Sequence, residues 1–250
     1  MFALAIETSG RVGSVALVRD GQVLAEPTFE HGLKHAAGIL PMIDRLCRDH
    51  GIGPRDLAEL YLSIGPGSFT GLRIGVTLAK TMALTTGVKI VAVPTVNVLA
   101  ANAPADAKHV IIVLDAKREQ IFTASFDVGS ALADQNVAVR QGGPYMSPRE
   151  PAHLGTLTDM LARTPRPVHL LGEGIPYHEK FIPKNDPGVI VTSPDTWRAK
   201  AGAVASIGMA MAKVNQFADA DRLTPLYIRK PEAEEKWDMQ NAERGMQNAE

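Results

Sequence analysis

From Leu57 the chain reads LAELYLSIG, a short apolar strand candidate, and runs straight into GPGSFTG and then LRIGVTLAKTMAL. An apolar run of strand length, a Gly-rich turn and a helix-spaced stretch to about Thr86 make a strand–turn–helix unit. Such a unit belongs to an α/β fold, in which the helix returns across the face of a sheet. This feature excludes an all-helical bundle and an all-β sandwich, and the rest of the chain is read around it.

Upstream, FALAIET, SVALVRD and QVLAEPTFE read as three strands joined by tight turns, with SGRVG in the first turn and Asp20-Gly21 as a hairpin signal in the second. Lys34 to Asp49 reads as a helix. Ile39, Leu40, Met42, Ile43, Leu46 and Cys47 share a wide arc at helical spacing. Pro41 inside this pattern predicts a kink, or a start nearer Leu40. Downstream, KIVAVP is a strand, and Pro94 to Ala103 a short helix. The order β-β-β-α-β-α-β-α predicts a mixed sheet with helices on its faces.

The theme then restarts. HVIIVLDAKREQIFTASFDV holds an apolar strand ending at Asp115, a polar turn and a returning strand. A chain of 250 residues is long enough for two lobes, each with its own core. The polar stretch NAPADAK divides the chain into a lobe over 1–104, a second lobe over 105–230 and a polar tail over 231–250. In the second lobe RQGGPYMSPRE reads as loop, Pro151 to Arg163 as helix, PVHLLGEG as strand and Trp197 to Val214 as helix. The pentamer MQNAE occurs twice in the tail, at Met239–Glu243 and Met246–Glu250. Two copies are too few for a repeat fold, and a frayed polar tail is expected.

Composition removes whole classes. The 26 basic residues against 27 acidic ones give a net charge of −1, which is not the footprint of a stand-alone nucleic-acid binder. Cys47 is the only cysteine, so neither an intramolecular disulfide nor a cysteine zinc cluster can form, and a reducing compartment fits. The N-terminal apolar run has no basic residues before it and is interrupted by Glu7, unlike a signal peptide. No uncharged apolar run approaches the roughly 20 residues of a membrane span. A cytoplasmic protein is expected.

The Gly-rich segment admits three uses. It could be an anion site, with backbone N–H groups and the helix dipole facing a phosphate. Gly65, Gly67, Ser68 and Thr70 would then act with Glu7, Thr8 and Ser9 at the end of the first strand. It is not a Walker A loop, since no Gly-Lys-Ser/Thr follows, and it lacks the dinucleotide spacing. It could be catalytic, but Ser68 has no G-x-S-x-G context and no histidine partner, so Ser68 and Thr70 read as turn and cap residues. Thirdly, Gly71, Gly75, Ala79 and Ala83 recur every fourth residue, a stripe of small side chains that admits another backbone closely. A helix this apolar is covered on more than one side, either wholly inside the chain or by a partner. His31 and His35 are four apart but lack a third ligand, and no metal site is expected. Asp115, like Glu7, is either a water- or metal-orienting carboxylate or an acceptor for turn N–H groups.

In order along the chain, LAIETSGRVGSVALVRDGQVL, HAAGILPMIDRL, SIGPGSFTGLRIGVTLAK, VLDAKREQIFTASF and TPLYIRK resemble the TsaB (YeaZ) family of tRNA threonylcarbamoyladenosine biosynthesis. The resemblance spans about Phe2 to Lys230, and is looser between Val128 and Ser193. It implies two ribonuclease-H-like lobes of the actin/Hsp70-type ATPase fold. It implies a non-catalytic subunit, with no catalytic residues and no cofactor of its own, that pairs with the transferase TsaD through its first two helices. ATP and Mg are used by partner subunits: TsaE joins the complex, and TsaC supplies the threonylcarbamoyl-adenylate for adenosine 37 of tRNA. The implied interface holds His35, Ile39, Met42 and Leu46 on the first helix, and Leu72, Gly75, Val76, Ala79, Met82 and Ala83 on the second. The same helices could form a homodimer, and any tRNA contact is indirect or minor. The turn DAKREQIF has no glycine to let backbone N–H groups reach a phosphate, and TsaD's paired histidines have no counterpart. Both argue against independent ATP hydrolysis. The alternatives are a stand-alone ATP-dependent transferase or kinase-like enzyme, and the peptidase of the family's old glycoprotease label.

Overall fold

The computed structural model describes residues 1–30, 35–129, 145–229 and 237. His31 and the doubled MQNAE lie outside them. The first sheet contains β1 (Phe2–Glu7), β2 (Val12–Arg19), β3 (Gln22–Ala25), β4 (Thr28–Glu30), β5 (Leu57–Ser63) and β6 (Lys89–Val93). Its order is β3-β2-β1-β5-β6, with β4 also paired to β2. β1 and β2 are antiparallel, and β2 turns into antiparallel β3 through Asp20-Gly21, both at positive φ, as the hairpin signal requires. β5 and β6 run parallel to β1. The stretch read as one returning strand is split into β3 and β4 at Pro27.

The second sheet repeats the plan with β7 (His109–Asp115), β8 (Ile121–Gly129), β9 (Tyr145–Gly155), β10 (Val168–Leu171) and β11 (Val189–Val191), in the order β11-β10-β7-β8-β9. β7, β8 and β9 are antiparallel neighbours, and β10 and β11 are parallel to β7. Both sheets thus have the same topology, three antiparallel strands extended by two parallel ones on the far side of the first. That is the pair of ribonuclease-H-like units expected from the sequence.

Helices fill the layers. α1 (His35–Asp49) and α2 (Phe69–Thr86) lie on one face of the first sheet. α4 (Leu157–Arg163) and α5 (Ile175–His178) lie on the outer face of the second. α3 (Thr95–Ala100) and α6 (Ala201–Lys213) fill the space between the sheets. Strand alternation sorts the core. Leu4, Ile6, Leu60 and Leu62 face α1 and α2, whereas Ala3, Ala5, Ala16 and Tyr61 face α6. The small residues let α6 approach closely: a Cβ on Gly208 would lie 2.5 Å from the Tyr61 ring.

The middle core is shared between the two sheets. α6 comes from the C-terminal half yet packs on β1, β2, β5 and β6. Ala201 N–H donates to Ser14 Oγ at 2.8 Å, and Ala218 N–H to Ile90 O at 2.8 Å. Residues from about 201 to 227 therefore belong spatially with the first sheet. Some sequence expectations shift. Residues 145–155 are strand β9, where the sequence predicts loop and then helix, and α4 begins only at Leu157. Pro148 and Pro151 are tolerated because β9 is an edge strand. Pro41 lies within α1 and does not mark its start; it is exposed, so a carbonyl deprived of its N–H partner can bond to water. Among the described residues no helix is long and apolar enough to cross a membrane.

Candidate functional site

Two places gather the predicted residues: a cleft between the sheets, and the outer face of α1 and α2. The cleft lies where β1 and β7 end, has a volume of about 310 Å³, and is lined by Ser9, Gly10, Arg11, Gly67, Ser68, Asp115, Lys117, Glu173 and Tyr177, among others. Glu7 and Thr8 lie just behind it.

Glu7 is fully buried. Its Oε1 accepts from the Ser9 N–H and the Ser9 hydroxyl, each at 2.5 Å. Among the described residues Oε2 has no hydrogen-bond partner, nor has the buried hydroxyl of Thr8. Burial pushes the Glu7 carboxyl above the ordinary glutamate value, against the lowering effect of the Ser9 bonds. Asp115 shows the opposite balance. Burial acts to raise it, but the Lys117 N–H at 3.0 Å, the Lys117 ammonium at 2.6 Å and His178 at 3.3 Å outweigh that and hold it below the usual range.

The Gly-rich turn sits beside these groups in a way the sequence did not reveal. Ser68 N–H donates to Ser9 O at 2.7 Å, and the Ser68 hydroxyl caps α2 by accepting from Gly71 N–H at 3.3 Å. A Cβ on Gly67 would lie 2.5 Å from Ser9 O, and one on Gly71 only 1.9 Å from Thr8 O. Ser9 O thus takes an N–H at the positive end of α2, and Thr8 O lies close against the side of its first turn. Glu7, Thr8, Ser9, Gly67 and Ser68 lie near one another at the end of β1 and the head of α2. Gly65 is buried under Leu226, and Thr70 is exposed on the helix.

Across the cleft, Lys117, Arg118 and Glu119 have φ of 63°, 52° and 60°. The sequence has no glycine here. The structure makes a left-handed turn regardless, and side chains hold it: Asp115 on Lys117, Lys180 on Glu119, and Arg229 on both Ala116 O and Gln120. The cleft-rim cations are engaged at home. Arg11 binds the Tyr177 hydroxyl, and its N–H donates to Glu173 at 3.0 Å. Among the described residues no group of three or more His, Cys, Asp and Glu side chains could hold a metal.

The helix face differs from the expected one. Ile39, Leu46, Leu72, Val76, Ala79 and Met82 are buried in the chain's own core, and Met42 and Ala83 are partly buried against it. Gly75 is buried too: a Cβ there would lie 2.7 Å from Thr8 Oγ1 and 3.0 Å from Leu62 Cδ1. The small-residue stripe thus admits the chain's own first sheet, for which close backbone approach is needed. The side chain of His35 lies outside the described residues. What α2 turns outward is Thr70, Arg73, Thr77, Thr81 and Leu84, the last 88% exposed, and α1 adds Leu40 at 56%. The signal for this face was the complement of the buried arc, a threonine-rich strip ending in one leucine.

Comparison with known proteins places these features. The family model of tRNA N6-adenosine threonylcarbamoyltransferase, TsaD, matches residues 30–146. The tRNA threonylcarbamoyladenosine biosynthesis protein TsaB of Bacillus subtilis is 33% identical over 239 residues, covering 95% of this chain and 98% of the relative. TsaB of Escherichia coli is 35% identical over 129 residues, covering 50% of this chain and 55% of the relative. The solved structure of YeaZ from Pseudomonas aeruginosa shares the fold, with a TM-score of 0.71 at 21% identity over 90% of this chain and 99% of that one. With a relative that similar along almost its entire length, this chain belongs to the family of the tRNA threonylcarbamoyladenosine biosynthesis protein TsaB.

Proposed function

We propose that this chain takes part in threonylcarbamoylation of adenosine 37 in tRNA as a non-catalytic subunit that binds and supports TsaD. The observation that supports the non-catalytic part is Ser9 O, which takes the Ser68 N–H at the N-terminus of α2. A γ-phosphate there would face a carbonyl oxygen and one fewer donor, which disfavours a phosphate cradle. ATP and Mg chemistry then belongs to partner subunits, with TsaE joining the complex and TsaC supplying the activated threonylcarbamoyl group. The near-neutral charge fits an indirect or minor tRNA contact and a cytoplasmic setting.

The partner surface on this reading is the outward strip Arg73, Thr77, Thr81 and Leu84 of α2, flanked by Leu40 of α1. An exposed apolar residue bordering a polar strip fits the composition of an interface anchor. The same strip would serve a homodimer when TsaD is absent. Leu84→Asp and Thr77→Arg test it. Both sites are exposed, so folding is expected to be unaffected while co-elution with TsaD in size exclusion is lost. An intact complex with both variants rejects this surface. The second reading, a stand-alone ATP-dependent enzyme, is favoured only by Lys117 and Arg11 lining the cleft. Calorimetry with millimolar MgATP separates the two: the subunit reading expects no binding heat from the isolated chain, and saturable heat with turnover supports the enzyme.

A further inference from the structure

After α6 the chain crosses back over the first sheet as a strap. Lys80 Nζ donates to the carbonyls of Asp221 at 3.0 Å and Leu223 at 3.4 Å, and Leu223 is buried in the core beneath α1 and α2. Leu226 N–H donates to Ile64 O at 2.8 Å, just before the Gly-rich turn. Tyr227 then stacks on Phe69 with ring centroids 4.9 Å apart, and its hydroxyl accepts from Arg73 Nε at 3.1 Å. The Arg73 guanidinium lies 3.9 Å over the Phe69 ring. Two residues later Arg229 reaches the other sheet, donating to Ala116 O and to the side chain of Gln120.

We infer that residues 223–229 are a coupling strap, through which a protein bound on the α2 face sets the conformation of the cleft turn Ala116–Gln120. The inference rests on the partner reading for the identity of the bound protein, and on this structure for the strap. At one end, Arg73 and Tyr227 are both exposed at the start of the outward strip. A partner that draws the Arg73 guanidinium to itself removes the bond that orients Tyr227. At the other end stands a turn with three successive non-glycine residues at positive φ. Such a backbone persists only while its surroundings hold it, and relaxation to ordinary φ is its second state. Only Ile228 separates Tyr227 from Arg229. Two residues span at most about 7 Å, so a displacement of Tyr227 acts on Arg229 over a very short length of chain.

Amide exchange at Lys117 and Gln120 reads the turn directly. In the folded chain, Lys117 N–H is bonded to Asp115, and Gln120 N–H to Lys117 O at 3.0 Å. In the isolated full chain, Arg229→Ala is expected to raise exchange at both by roughly tenfold or more, since it removes two hydrogen bonds from a cation. Tyr227→Ala, which leaves Arg229 in place, is expected to raise them as well, with amides of β1 and β5 unchanged as the measure of intact folding. Unchanged turn exchange in either variant overturns the strap. With TsaD added, wild-type turn exchange shifts and that of Arg229→Ala does not. A complex that forms without that shift also overturns the inference. Absence of any complex overturns the partner reading instead, and the Tyr227→Ala result in the isolated chain then decides the strap on its own.

Discussion

Replacing Gly71 by alanine is the sharpest test of how α2 meets the first sheet. The added Cβ would lie 1.9 Å from Thr8 O and 3.1 Å from the Thr8 carbonyl carbon. Real Cβ atoms do not approach an oxygen within 3 Å, so α2 or the end of β1 must retreat by about 1 Å in a close-packed interior. The obstacle is backbone and cannot rotate away. Overpacking of this kind costs about 1–3 kcal/mol, and a backbone clash belongs at the upper end. Alanine returns about 1 kcal/mol through its better helix propensity. The net expectation is a loss of about 2 kcal/mol. In urea denaturation, with a slope of about 2–3 kcal/mol/M, the midpoint falls by roughly 0.7–1 M. Gly38→Ala is the internal control. It sits in exposed α1 with nothing within 4 Å of the added Cβ, so it should stabilise by about 0.5–1 kcal/mol. If Gly71→Ala is as stable as wild type, the close seat of α2 on Thr8 is wrong.

Three further outcomes follow from the same geometry. Glu7→Gln removes a buried carboxyl whose pKa in the folded chain is raised. A raised group contributes stability that is complete below its unfolded value, ordinarily 4.5, and is lost as pH climbs through the folded value. Urea midpoints taken at rising pH should therefore favour Glu7→Gln increasingly over wild type above about pH 4.5, and a constant difference would reject the buried, partnerless Oε2. Gly208→Ala drives a Cβ to 2.5 Å from Tyr61 Cγ and should lower stability by about 1–3 kcal/mol in thermal denaturation, because both α6 and Tyr61 are pinned between the sheets. Leu84→Asp should leave stability within about 0.5 kcal/mol of wild type while abolishing TsaD co-elution, which separates it from the two glycine variants.

The first sheet was legible because its signals are local. Asp20-Gly21 marks a hairpin, FALAIET is a short apolar run ending at a polar turn, and SVALVRD alternates as a strand does. The strand–turn–helix unit fixed β5 and α2 in the same way. The second sheet was harder to read, since β9 carries Pro148 and Pro151. Only its place at a sheet edge makes them acceptable, and that place is a tertiary fact. The crossing of α6 into the middle core was equally hidden: an apolar helix does not announce which sheet it will cover. At the site, the stripe Gly71, Gly75, Ala79 and Ala83 signalled close approach, and close approach is what the structure shows. Periodicity could not say whether the approaching backbone is a partner's or the chain's own Thr8. The exposed strip Arg73, Thr77, Thr81 and Leu84 was overlooked because polar residues on a helix read as solvated by default. The left-handed turn at Lys117–Glu119 had no sequence signal, because it is imposed by Asp115, Lys180 and Arg229 from three separate segments.

The central claim is that this chain is required for threonylcarbamoylation without performing it. The most direct measurement is reconstitution of adenosine 37 modification from TsaC, TsaD, TsaE, threonine, bicarbonate, MgATP and tRNA, with and without this chain. ATP hydrolysis by the chain alone is followed in parallel. The account predicts that modification is lost when the chain is omitted, and that the isolated chain releases no phosphate above background. Full modification in its absence, or ATP turnover by the chain on its own, would contradict it.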